Sequence, residues 1–145
     1  MSNHTYLFNS AVWEVFGDYF DQSGLKYPLE GISKIDHKKN VWLNDLMMKV
    51  KNGEQKEIFN FSEIKPLTED QGFSFWNSQN PDLGNVNGFL VVSGDEIFLS
   101  WNSEDGCHSG SNHLHMIDRQ HYTQIGYVFK GKERMSSWEL HLKRV

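Results

Sequence analysis

The sequence predicts an all-β fold, an antiparallel up-and-down barrel of about ten strands, eight at the fewest. Three observations carry this reading. Short segments of alternating or aromatic-rich character run along the whole chain, turn-forming residues interrupt them about every ten positions, and few windows have helical spacing. Without crossover helices, successive strands pair as hairpins and run antiparallel. Ten twisted strands in one open sheet would leave two exposed edges, which closure removes. A chain of 145 residues is one domain, 1–145.

The first strand is placed at 12–20, with Trp13, Val15, Gly17 and Tyr19 on one face and Glu14, Phe16, Asp18 and Phe20 on the other. Asp21, Gln22, Ser23 and Gly24 end it as a turn. The second covers 29–35, with Pro28 at its start, where a missing N–H is tolerated. The third covers 41–51 and closes at Asn52-Gly53, the dipeptide that a two-residue hairpin turn favours because both central residues need positive φ. The fourth, 57–65, alternates Ile58, Asn60, Ser62 and Ile64 against Phe59, Phe61 and Glu63, and Pro66 ends it. A fifth strand at 72–77 precedes a run of turn formers, 78–85, read as a surface loop. Strands at 87–92 and 96–102 form a tight hairpin about Ser93-Gly94-Asp95. The last three are 111–117, 122–129 and 137–144. The first ten residues are read as a short helix capping one barrel end, with Leu7 and Phe8 as the plug.

Fourteen Lys plus Arg against nineteen Asp plus Glu give a net charge of −5, which argues against a nucleic-acid surface or a basic membrane-docking face. No apolar run approaches the roughly 18–20 residues that span a bilayer, and MSNHTYLFNS lacks the regions of a signal peptide. A soluble, cytoplasmic protein is expected. Cys107 stands alone, so no intramolecular disulfide forms, and its neighbour His108 projects away from it on an extended chain, a poor thiolate–base pair.

Two residues extend the pattern beyond general β character: Trp13 on the opening strand and Arg144 near the end of the closing one. With the strand plan, they make the chain resemble the calycin group of ligand-binding barrels, which holds lipocalins, fatty-acid-binding proteins and nitrobindin-like proteins, and most of all a bacterial lipocalin-like domain. The resemblance implies a barrel-closing pair, with the Arg144 guanidinium over the Trp13 indole, a contact of about 0.5–2 kcal/mol. It covers architecture along nearly the whole chain and brings no ligand-specific motif.

Twenty aromatics, ten Phe, five Trp and five Tyr, fall on both faces of several strands. A single packed core uses one face, so the other is a pocket lining, a subunit interface or an unusually apolar surface. A barrel of this strand number has more interior than its own side chains need fill. The candidate ligand-binding residues are Trp42, Trp76 and Trp101, on three different strands, with His113, His115 and Tyr122. In His113-Leu114-His115 the two imidazoles share one face. They stand in the cavity as hydrogen-bond donors or haem ligands, form half of a metal site, or face solvent while Leu114 and Met116 face the core.

The expected function is binding of a hydrophobic or aromatic small molecule in the barrel interior, without catalysis and without a resident cofactor; haem or a metal ion are the cofactor alternatives. The competing readings are a barrel enzyme (isomerase, cyclase or metal-dependent) using His113, His115 and His121, and a protein-interaction module. Neither nucleic acid nor membrane is an expected partner, and a homodimer is the oligomeric alternative.

Overall fold

The structure is a computed structural model and describes residues 3–145. It is all-β, with ten strands: β1 (Ala11–Phe20), β2 (Lys26–His37), β3 (Trp42–Val50), β4 (Glu57–Ile64), β5 (Phe73–Asn80), β6 (Gly84–Ser93), β7 (Glu96–Ser103), β8 (His108–Asp118), β9 (His121–Lys130) and β10 (Glu133–Arg144). Every consecutive pair is antiparallel, and β1 also pairs with β10, from Trp13↔Arg144 to Phe20↔Ser137, which closes the barrel. All ten expected strands are present. No helix occurs among the described residues.

Three local expectations are corrected. Residues 3–9 cap one end as a turn rather than a helix, with the Asn9 N–H on the Thr5 carbonyl at 3.2 Å and Leu7 in the left-handed region at φ 71°; residues 1 and 2 lie outside the described residues. The turn after β3 is not a two-residue one. The Asn52 side chain accepts from the backbone N–H groups of Glu54 and Lys56, and Gln55, not Gly53, takes positive φ. The polar run 78–85 is mostly strand: Ser78 pairs with Ser62 and Val86, so ladder hydrogen bonds carry β5 through Asn80 and leave only a short turn before Gly84. The β6–β7 hairpin is tight, as its Gly94 (φ 57°) predicts.

The inward rows explain the core. Trp13, Val15 and Tyr19 of β1 are buried, as are Leu140 and Leu142 of β10 and Leu114 of β8. At the capped end the core is solid, because Tyr6 and Leu7 enter the barrel and pack with Trp13, Tyr122, Ile35 and Leu142. The Trp13 ring meets Tyr6 and Tyr122 edge-on, with centroids 5.4 and 5.6 Å away.

One hydroxyl ties the cap down. Tyr122 Oη accepts from the Thr5 and Tyr6 backbone N–H groups at 3.1 and 3.4 Å and lies 2.8 Å from His4 Nδ1. His4 Nε2 lies 2.8 Å from the Gly94 carbonyl, which can only accept. The proton is therefore on Nε2, and Tyr122 donates to Nδ1. A second ring of hydrogen bonds runs from Tyr6 Oη to Ser33 Oγ (2.9 Å), from Ser33 to Asn44 Oδ1 (2.8 Å), and from Asn44 Nδ2 back to Tyr6 Oη (3.3 Å).

Candidate functional site

Below the cap the barrel is not filled. A cavity of about 480 Å3 runs from Tyr6 and Leu7 at its floor to the opposite end, where Lys56, Asp82 and His108 stand at the mouth. A volume of this size is in the range of small-molecule sites.

Three tryptophans on the walls are placed by one repeated device. Trp76 of β5 is directly opposite Gly88 of β6, Trp101 of β7 opposite Gly110 of β8, and Trp138 of β10 opposite Gly126 of β9. In each case the indole lies across the partner glycine. A Cβ on Gly88 would come within 2.8 Å of the Trp76 ring, and one on Gly110 or Gly126 would overlap Trp101 or Trp138. The absence of a side chain lets each ring lie against the wall instead of crossing the barrel, so the interior stays open and aromatic. Trp76 is further held by its indole N–H on the Phe89 carbonyl (3.1 Å), and Trp138 by its own on Asn112 Oδ1 (2.8 Å).

The rest of the lining is part apolar and part neutral polar. Strands β4 and β5 are inverted relative to an ordinary barrel strand. Asn60, Ser62, Ser74 and Ser78 point in, while Phe59, Phe61, Phe73 and Phe75 point out. Asn44, Ser62 and Ser78 form one row across β3, β4 and β5, and the Asn80 amide donates to Asn60 Oδ1 nearer the mouth. Ser78 is 3 % exposed, and its hydroxyl has no hydrogen-bond partner in the protein. On the far wall Asn112 Oδ1 accepts from both Gln124 and Trp138, which fixes its amide orientation.

Two tyrosines near the floor are held neutral. Burial pushes the Tyr6 hydroxyl above the usual tyrosine range, against the opposing pull of its hydrogen bonds to Ser33 and Asn44. Tyr122 is likewise raised by burial, opposed by the Thr5 and Tyr6 N–H groups.

The sequence candidates separate into groups. Trp76 and Trp101 line the cavity and are 9 % and 6 % exposed. Trp42 does not: it stacks face-on with His37 at 4.1 Å and meets the edge of Phe8 beside the cap. Tyr122 points into the barrel but is spent on the cap. Of the alternatives open for His113 and His115, the structure has the outward-facing one, and neither lines the cavity. Leu114 and Met116 take the inward positions of β8, and both imidazoles stand outside on the two oxygens of the Glu96 carboxylate. Burial raises the Glu96 pKa, but hydrogen bonds from His115 and then His113 outweigh it and leave the group below its ordinary value.

His121 pairs instead with Asp118 in the β8–β9 turn, so the three histidines of the enzyme reading are not assembled. Among the described residues no group of three or more His, Cys, Asp or Glu is arranged to hold a metal ion. Trp13 and Arg144 are direct partners across β1 and β10, but the rings on Trp13 are Tyr6 and Tyr122, and no cation lies over it among the described residues. Tyr6 of the cap packs against the Trp13 ring instead. Sequence reasoning missed Ser78, Asn112 and Gln124 as lining residues.

The fold and cavity define a closed, calycin-like ten-stranded barrel. Solved structures similar to it are the S-type phycobiliprotein lyase CPES from Guillardia theta (TM-score 0.71, 5 % identity, covering 97 % of this chain and 90 % of that one) and Rv2717c from M. tuberculosis (TM-score 0.71, 10 % identity, 94 % and 92 %). A third is EF1p2_mFAP2b bound to DFHBI (TM-score 0.52, 10 % identity, 97 % and 95 %). At these identities the likeness is one of fold. No protein-family model matches the sequence, and no curated protein does.

Proposed function

We propose that the protein binds a hydrophobic or aromatic small molecule in the barrel interior, without catalysis. The observation that carries this reading is the cavity whose walls hold Trp76, Trp101 and Trp138 against cross-strand glycines. A core built only for stability would fill that space, since close packing is what a core contributes. One barrel of similar fold was solved bound to a small molecule, DFHBI, which accords with an interior site. Haem is a poorer guest than a flat organic molecule, because His108 at the mouth is the one histidine among the lining residues. Intrinsic tryptophan fluorescence, titrated with flat aromatics, fatty acids and haem, tests the proposal. Saturable quenching by flat aromatics at one site per chain is the expected result; no saturable change with any of them overturns it.

The outer face supports a second copy of this chain as partner. Phe73, Val91, Phe98, His113 and Ile125 are successive cross-strand partners from β5 to β9, and Phe75, Phe89 and Tyr127 flank them. The apolar members are 37–60 % exposed, which leaves about 600 Å2 of mostly aromatic surface at the area such rings carry. That is at the upper end of the roughly 300–600 Å2 of the largest apolar patch on a typical monomer and approaches the roughly 800 Å2 per partner of a stable interface. A two-fold pairing would bury the same band on both copies. Light scattering over a concentration series is expected to show dimers that Phe98→Glu dissociates; a monomer at every concentration overturns the reading.

A further inference from the structure

Resting on the interior-binding reading above, we infer that the guest is a neutral aromatic molecule with an amide-type edge, a carbonyl beside an N–H, held against the β3–β5 wall at Ser78. The inverted strands supply the first reason. Ser78 lines the cavity, and its hydroxyl is closed off from water yet bonded to nothing in the protein, a standing cost that a guest relieves by drawing the hydroxyl inward on a side-chain rotation.

Its cross-strand neighbours in the same row, Ser62 and Asn44, also line the cavity. On the opposite wall, Asn112 Oδ1 is saturated by Trp138 and Gln124, which leaves the Asn112 amide N–H groups and the Gln124 carbonyl without a protein partner among the described residues. These groups offer both donors and acceptors. A purely apolar guest would leave them desolvated and unpaired, the circumstance in which a site discriminates most strongly.

Charge supplies the second reason. Lys56, Asp82 and His108 are the ionisable Lys, Asp and His side chains of the lining, and all three belong to the turns and strand ends at the mouth. Below them stand hydroxyls, amides, phenols and hydrocarbon. A carboxylate drawn down to the indoles would lose its hydration with no cation to pair it. A neutral edge with one donor and one acceptor loses far less and gains Ser78. Flat indoles on the walls suit a flat ring between them.

The experiment uses three probes of one size, naphthalene, 2-naphthamide and 2-naphthoate, titrated by tryptophan quenching into the full chain and into Ser78→Ala and Ser78→Cys. The expected order is 2-naphthamide tighter than naphthalene by about tenfold, with 2-naphthoate weaker than the amide by at least that factor. Both variants are expected to lower the amide-to-naphthalene ratio by about two- to tenfold while naphthalene affinity stays within about twofold. Unliganded Ser78→Ala is expected to melt no lower than the parent, because it deletes a buried group that bonds to nothing. A residue serving structure alone would lower the melting temperature and leave the ratio unchanged. Equal affinity for amide and naphthalene, naphthoate binding as tightly as the amide, or an unchanged ratio in both variants overturns the inference while the interior-binding reading stands. Failure of all three probes to bind overturns that reading itself.

Discussion

Replacing Tyr122 with Phe removes one oxygen and keeps the ring that packs on Trp13 and Tyr6. That oxygen serves three partners in the cap: the Thr5 N–H, the Tyr6 N–H and His4 Nδ1. Thr5 is fully buried and His4 nearly so, so the groups left behind cannot turn to solvent. Each buried group left unpaired costs about 1–3 kcal/mol. The Tyr6 contact, at 3.4 Å, is at the weak limit and adds little. The sum over the Thr5 N–H and His4 is about 2–6 kcal/mol, or roughly 5–20 °C in Tm for a chain of this size. Urea unfolding followed by tryptophan fluorescence measures it, with the slope against denaturant reporting whether the folded state has loosened. Hydrogen exchange should accelerate in residues 4–9 before it does in the strands. A loss below about 1 kcal/mol, or a cap that exchanges no faster than in the parent, would refute the assignment of the cap's hold to this hydroxyl.

Three further predictions rest on other parts of the structure. Gly126→Ala places a methyl on Trp138 and Asn112, so a cost of about 1–3 kcal/mol is expected, together with weaker probe binding. Trp138→Leu in the same chain should recover part of that stability, which a double-mutant cycle reads. Tyr6 and Tyr122 have folded pKa values raised by burial, so their contribution is complete below about pH 10 and is lost as the pH rises through the folded values. Tyr6→Phe should flatten that alkaline loss in urea unfolding at stepped pH. Glu96 has a folded pKa lowered by His115 and His113, so its stabilisation is present above the ordinary glutamate range and disappears as the pH falls through the folded value. The three side chains are partly exposed, so the effect is under about 1 kcal/mol, and Glu96→Gln should remove that slope from the acid arm.

The strands were legible because the information is local: turn formers cut the chain and alternation gives each piece two faces. Legibility failed where a partner strand decides. Asn52-Gly53 has the composition of a tight turn, yet the Asn52 carboxamide instead gathers the N–H groups of a wider one. Ser78 and Asn80 read as loop until β4 and β6 are beside them. The two-sided aromatics correctly signalled both a cavity and an apolar exterior, but the device that opens the cavity is a register fact. Trp76 lies twelve residues before Gly88 in sequence, and nothing but the hairpin pairing puts them opposite. His113 and His115 alternate with Leu114 and Met116, so either set could face inward; the bulkier apolar demand of the core decides it. The cap's hydrogen bonds join His4 and Thr5 to Tyr122 across more than a hundred residues, beyond any local signal.

Interior binding is tested most directly by a crystal structure of the protein with 2-naphthamide. The ring is expected inside the barrel among Trp76, Trp101 and Trp138, with the amide on Ser78. A probe seated on the outer Phe73–Ile125 band, or an interior closed by its own side chains, would contradict it.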